Sequence, residues 1–395
     1  MSESRRHLAP SSSNDTVAHS AAHDHLRYPE EALEVHENSR KGSRGMRIVR
    51  AVSGVTALGI ALSALVIPSP YVMESPGPIF NTIGEDDGEP IITVNGHETY
   101  ETDGSLNLTT VFLNGAPTST VRVADMVRAW FDGSRDIAPQ ELIYPSGTTA
   151  DEVQQMNSAQ MTSSQDLAVA AALDQLDEDY AQRLSVADFT PEAQEAGTDD
   201  VLQPEDEVVA ASGEEITGIE GLREAVNEAA GEPVELTVQR DGDELDVEVP
   251  TYLEADGDYY VGIMLQNTFD FPFEVDIRLN DVGGPSAGLM FTLGIIDTLT
   301  SGSMTGGEQW AGTGTVDPDG RVGPIGGIPQ KVVGAADQGA QYFLAPQDNC
   351  SDLEGRIPGG IDVYPVTDVE QAQQTVEAVR EDDEDFLAGL PSCGE

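Results

Sequence analysis

Along the chain the spacing of apolar positions changes several times, and each change predicts a change of element. Residues 1–45 hold Ser, His, Arg and Glu with little apolar periodicity, which predicts a disordered tail. Arg40-Lys41, Arg44, Arg47 and Arg50 then lead into Ala51–Ile67, an uncharged run of seventeen residues closed by Pro68-Ser69-Pro70. That length is at the short end for a bilayer-crossing helix, and Arg50 can snorkel, so residues 46–70 are read as a transmembrane anchor. Residues 71–180 form an N-terminal region of mixed character. Short β-type runs (Ile91–Val94, Thr109–Leu113) alternate with Asn-Gly and Asp-Gly turns. A helix follows over Thr149–Leu176, with Leu167, Ala170, Ala171 and Leu173 inward and Ser164 as a cap.

Residues 181–252 carry a pattern of their own. Val208-Val209-Ala210 reads as a strand, and Thr217-x-x-Glu220 as a capping box opening a helix with Ile219, Leu222 and Val226 inward. Val234, Leu236 and Val238 alternate up to Asp241-Gly242, and Leu245, Val247 and Val249 alternate after it, a hairpin signal. This order resembles a PDZ domain of the bacterial protease type, which implies a groove for an extended peptide. Gln203-Pro204-Glu205-Asp206 stands where that family has a glycine before the aspartate, and no Gly-Leu-Gly-Phe-like loop is visible.

From 253 to 380 the pattern is strand, strand, helix, hairpin, helix. Tyr259–Leu265 is apolar enough for a buried strand, and Phe271, Phe273, Val275 and Ile277 alternate in the next. The turn Asn280-Asp281-Val282-Gly283-Gly284-Pro285-Ser286-Ala287-Gly288 opens a helix that is apolar on nearly every side, hence buried. Ser286 therefore stands on a rigid element beside unpaired amides, those of Ser286 and Ala287 among them, at the positive end of a helix dipole. Such amides can stabilise an oxyanion. Further on, Asp317-Pro318-Asp319-Gly320 turns a hairpin, and Gly327-Ile328-Pro329-Gln330-Lys331 starts another helix that stops at Gly339. A lysine in a first turn is opposed by the dipole, and burial lowers its pKa further. In its neutral form it can accept a serine proton. Residues 381–395 form an acidic tail.

Composition sharpens this picture. The chain has 395 residues and a net charge of -52, yet its first fifty residues hold 8 Lys/Arg against 7 Asp/Glu, leaving 11 against 64 beyond them. So acidic a surface disfavours nucleic acid and peripheral binding to anionic lipid. Basic residues before the apolar run and acidic ones after it place the N-terminus in the cytoplasm and the rest outside a cell membrane crossed once. There Cys350 and Cys393, the only cysteines, are expected to bond. The only lysines are Lys41 and Lys331, and neither lies in a Gly-x-x-x-x-Gly-Lys-Ser/Thr loop, so no Walker-type ATPase is encoded. His97 is the one histidine after residue 50, and it sits in a polar turn, which argues against a Ser-His-Asp hydrolase. Ile328 three residues before Lys331 rules out a Ser-x-x-Lys arrangement, and Asp348 and Asp352 around Cys350 oppose a thiolate. His19, His23 and His25 could bind a metal ion, but in a solvated tail this is the minority reading. No cofactor or metal is expected.

Gly284-Pro285-Ser286-Ala287-Gly288, Met304-Thr305-Gly306 and Pro324-Ile325-Gly326-Gly327-Ile328 leading to Lys331 together resemble the proteolytic domain of the Lon peptidase family over roughly residues 255–375. The resemblance implies an α/β (α+β) fold and a Ser-Lys dyad, with Ser286 the nucleophile, Lys331 the general base and Thr305 a supporting partner. It also implies ring-like homo-oligomers, with the hexamer as the expected form. With the span and the PDZ-like segment, the whole chain resembles membrane-anchored, PDZ-containing Lon-like proteins that lack the ATPase module. The expected function is ATP-independent extracytoplasmic endoproteolysis of polypeptides. An inactive scaffold that binds exported peptides is the alternative. Gly283 fills the position before Gly-Pro-Ser where Lon proteins carry aspartate.

Overall fold

The computed structural model describes residues 44–64, 66–145, 147–216, 218–255, 257–279 and 282–393. The tail histidines, Thr217, Asn280 and Asp281 lie outside these residues, so the tail and capping-box expectations fall there too. The chain divides into two units, residues 1–60 and 61–395. The uncharged run is helical as far as Ala64, within Arg44–Ala64, and exposes Val52, Val55 and Leu58. Among the described residues, no helix is long and apolar enough to cross a membrane.

The second unit is built on a mixed sheet of six strands. In order across the sheet they are Asp362–Val366, Tyr342–Pro346, Gln309–Gly312, Ser105–Asn114, Tyr71–Asn81 and Asp136–Pro139. The first four run parallel and the last two antiparallel to their neighbours. Period-two alternation decides what each strand packs against. Leu106, Leu108, Trp310, Leu344 and Val366 share one core with the helices Ala150–Gln175, Gly288–Leu299 and Val369–Arg380. Ala311, Phe343 and Ala345 point to the other face and meet Ile328, Val332 and Ala335 of the helix Ile328–Asp337. The parallel strands are thus covered on both sides, and the inner strand Tyr342–Pro346 is accordingly apolar throughout.

Two expected boundaries move. Residues 71–180 are not a separate region: strands Tyr71–Asn81, Ser105–Asn114 and Asp136–Pro139 form half of the six-stranded sheet. The strand Ile263–Asp270, placed after the boundary at 252, pairs with Ala181–Phe189 instead. It ends the path Asp243–Val249, Val234–Arg240, Glu207–Ala211, Ala181–Phe189, Ile263–Asp270, an antiparallel sheet with its own core around Val186, Leu236 and Val238. The smaller sheet therefore spans residues 181–270, set in the chain between strands of the larger one. Alternate residues of Ile263–Asp270 are exposed, so it is an edge strand and not the buried strand expected over Tyr259–Leu265. Of the inward residues expected on the helix Ile219–Glu228, Leu222 and Val226 are buried but Ile219 is exposed.

Local chemistry explains several ends. Thr149 and Glu152 form a reciprocal capping box at the start of Ala150–Gln175. Ser164, expected as a cap, instead lies buried within this helix. Asp206 is buried in the turn before Glu207–Ala211, where it accepts from Gln203 N at 2.7 Å and pairs with Arg240 at 2.5 Å. That turn ties the closing hairpin to the module. Cys350 and Cys393 are disulfide-bonded, which joins the last described residues to the core under Ile328–Asp337.

Candidate active site

Ser286 sits in a turn two residues ahead of the first helical residue of Gly288–Leu299. The turn is held from two sides. On one, Ser164 Oγ donates to Pro285 O at 3.0 Å and Gly284 N donates to Asn157 O at 3.2 Å. On the other, Gly314 N donates to Ser286 O at 2.9 Å and Leu289 N donates to Gly314 O at 3.1 Å. The approach is close: a Cβ on Gly288 would stand 2.9 Å from Val316 Cγ1 and 3.1 Å from Val316 N. Ser286 does not cap the helix; the residue at the cap position is Ala287, with no side-chain cap bond.

Lys331 comes from the other face of the sheet's end. Its helix starts after Gly327, whose φ of 69° is the left-handed conformation that favours glycine. Lys331 Nζ lies 2.6 Å from Ser286 Oγ and 2.8 Å from Thr313 Oγ1. The side chain is 2% exposed, and no carboxylate pairs with it among the described residues. Burial brings its pKa from 10.5 down to about 7, because a lone ammonium loses its hydration there.

Thr313 fixes the direction of these bonds. Its hydroxyl hydrogen is given to Ser286 O at 2.9 Å, so Oγ1 can only accept from Nζ. A neutral amine that donates to Thr313 keeps its lone pair for the Ser286 hydroxyl.

The sequence thus selects two residues that the fold brings together, Ser286 and Lys331, and one that it does not. Thr305 donates to Asp103 O at 2.5 Å and accepts from Gly307 N at 3.2 Å. Its loop is fastened to Asp297, which accepts from Met304 N at 2.7 Å and whose pKa burial raises to about 6. Asp297 is near the far end of the Gly288–Leu299 helix, about 14 Å along its axis from Gly288 at 1.5 Å per residue. Thr313 occupies the place expected of Thr305. Its signal was position: Gly312-Thr313-Gly314 ends a parallel strand, and sites in such sheets gather at carboxyl ends of strands.

Ser286 and Lys331 line a cavity of about 700 Å³ whose walls include Phe80, Val111, Phe112, Met161, Val282 and Ile325. A second, open groove of about 590 Å³ lies in the smaller module, lined by Ile219, Leu222, Val226, Tyr259, Ile263 and Leu265. His97 is exposed and rests on Phe273 with ring centroids 4.7 Å apart. No group of three or more His, Cys, Asp or Glu placed to hold a metal ion occurs among the described residues.

Residues 280–378 match the Lon protease (S16) C-terminal proteolytic domain. That domain is present here, and the homology supports a serine peptidase. The chain is 29% identical over 132 residues to the Lon protease of Mycoplasma mycoides, covering 33% of this chain and 16% of that protein. It is 36% identical over 89 residues to the Lon protease of Mycolicibacterium smegmatis, covering 22% and 11%. Lon protease 1 of Bacillus subtilis is 37% identical over 71 residues, covering 18% and 9%. The chain spans less than a fifth of the length of these relatives.

Proposed function

We propose that this chain is an endopeptidase in which Ser286 attacks the scissile carbonyl and Lys331 is the general base. The observation that carries the reading is the contact of Lys331 Nζ with Ser286 Oγ at 2.6 Å in a buried site. Neutral Lys331 takes the hydroxyl proton as Oγ bonds to the carbonyl carbon, and the peptide π electrons move to the oxygen. Backbone amides of Ser286 and Ala287, at the positive start of a helix, meet that oxyanion. Lys331 then gives the proton to the leaving amine as the C–N bond breaks. Water, deprotonated by the same amine, hydrolyses the acyl-enzyme. Thr313 keeps the lysine lone pair aimed at Ser286 throughout.

The rest of the reading concerns setting. With no Walker loop in the sequence, cleavage proceeds without ATP. The basic residues before the uncharged run and the acid after it favour a single anchor over residues 46–70, an N-terminus in the cytoplasm and a catalytic region outside. The 181–270 module, PDZ-like in element order, offers its groove to an extended polypeptide. The resemblance to the Lon peptidase family extends the proposal to a homo-oligomeric, ring-like assembly.

The test uses purified full-length chain and an unfolded polypeptide without nucleotide. Wild type cleaves it, whereas Ser286→Ala and Lys331→Ala each lower the rate by about 10⁴-fold or more with circular dichroism unchanged. A serine-directed phosphonate labels Ser286 in wild type only. Binding of peptides by a wild type that cleaves nothing at any pH would make the chain a scaffold.

A further inference from the structure

Away from the cavity, three large apolar side chains are almost fully solvent-exposed in the described residues of one short stretch. Trp130 is 87% exposed, Phe131 89% and Leu142 78%. Single exposed apolar residues need no account, but these share an attachment. Val123 N donates to Ile67 O at 3.2 Å, and Ser69 N donates to Val121 O at 2.9 Å. Pro68 bridges Arg122, and Gln140 N donates to Pro70 O at 3.1 Å. Both short helices, Val123–Ala129 and Gln140–Ile143, therefore hang from residues 67–70. Those residues close the uncharged run Ala51–Ile67 and directly follow it.

The charge also changes at this place. Residues 122–135 hold three arginines against two aspartates, in a region that carries 11 basic and 64 acidic residues after position 50. Over these residues the charges nearly cancel, so approach to an anionic headgroup layer is opposed less than the net charge of the chain alone would imply. A Trp-Phe pair flanked by arginines, adjoining an apolar run, has the composition of a membrane interface, where amphipathic rings sit at headgroup level.

We infer that Trp130, Phe131 and Leu142 form a foot that rests in the headgroup layer of the bilayer where the chain leaves its catalytic unit. The inference rests on the anchored reading of residues 46–70. The foot would set the height and tilt of the catalytic unit against the membrane. A second copy of the chain is the competing occupant of this patch.

Trp130 supplies its own probe, because the only other tryptophan is Trp310, which is fully buried. Full-length chain is reconstituted into phosphatidylethanolamine/phosphatidylglycerol vesicles, and Trp130→Phe is subtracted to isolate the Trp130 emission. In vesicles this emission shifts to the blue, loses its quenching by iodide, and is quenched more by lipids brominated near the headgroup than by those brominated deep in the chain. Chain that floats with vesicles while Trp130 stays open to iodide and indifferent to brominated lipid overturns the foot and leaves the anchor standing. Shielding of Trp130 without any quenching by brominated lipid assigns the patch to a second copy and also overturns it. Failure to float at all defeats the anchored reading, and the foot with it.

Discussion

The six-stranded sheet and the 181–270 module each set one helix beside a cavity, the first through the turn ahead of it and the second through its own side chains, and they bury it to opposite degrees. In Gly288–Leu299, eleven of the twelve residues are buried between the sheet and the helix Ala150–Gln175. The module's Ile219–Glu228 buries Leu222 and Val226 and leaves Ile219 42% exposed at its groove. Under the proposed function the contrast follows from two tasks. A lysine that must be neutral needs walls that deny it hydration, and its partner must be held by elements that cannot yield. Capture of an extended chain needs an accessible edge strand and apolar pockets, which Ile263–Asp270 and the neighbouring helix provide. Disturbing the first should alter rates; disturbing the second should alter only apparent affinity.

The strongest test of that division acts on the lysine. Thr313→Val removes the acceptor that orients Nζ while keeping the shape, and is expected to lower kcat/KM by about 10²-fold on polypeptide and short peptide alike. The pH profile sharpens the point. The reactive amine is the neutral form, so wild-type kcat/KM rises with pH through about 7 and levels above it. Stability follows the same sign. With the folded pKa depressed, the unfolded chain binds more protons between about 7 and 10.5, so stability rises with pH across that window. Lys331→Met abolishes the rise, which denaturant titrations at several pH values measure. An unchanged acidic limb in a series of variants that expose Lys331 would refute burial as its cause.

Much of the site is legible in the sequence because its constraints are local. Ser286 follows a glycine-rich turn before an all-apolar helix, and Lys331 follows Gly327 and Pro329 in a first turn. Both elements form where the pattern puts them. What escaped is set by long-range pairing. Nothing local says that Tyr71–Asn81 and Ser105–Asn114 join a sheet whose three remaining parallel strands lie some two hundred residues on or more. Nor does the alternation in Ile263–Asp270 say which sheet it joins. Ser164 looks like a cap from its neighbours alone, and only the packed turn reveals that its hydroxyl holds Pro285. Thr305 was chosen by resemblance, and the chain path that takes it to the far end of the helix is a tertiary fact.

An intermediate effect is expected in the module. Ile219→Asp places a charge in the groove at a position that packs little, so the module stays folded. Loss of one apolar contact of about 1.4 kcal/mol raises KM for unfolded polypeptide about tenfold. Hydrolysis of a short chromogenic peptide that does not reach the groove is unchanged. Equal loss on both substrates would mean that the two regions are coupled in catalysis and that the division drawn above is wrong.

The smallest effect on rate, and a direct one on stability, should come from the disulfide. Cys350 and Cys393, 43 positions apart in sequence, close a loop whose two ends pack beneath the Lys331 helix, in a core separate from the module's. Closing such a loop contributes about 2–4 kcal/mol, chiefly by limiting the unfolded chain. Cys350→Ser/Cys393→Ser should therefore lower the melting of the catalytic region by several degrees, about 2–8 °C. The module has a separate core, so hydrogen exchange over residues 184–186 and 234–238 should not change. Cleavage of the short peptide at 25 °C should stay near wild type, because Ser286, Thr313 and Lys331 bond to one another and not to the loop. A matching loss of protection in the module would show that the two cores unfold as one, and would confine the contrast between them to chemistry.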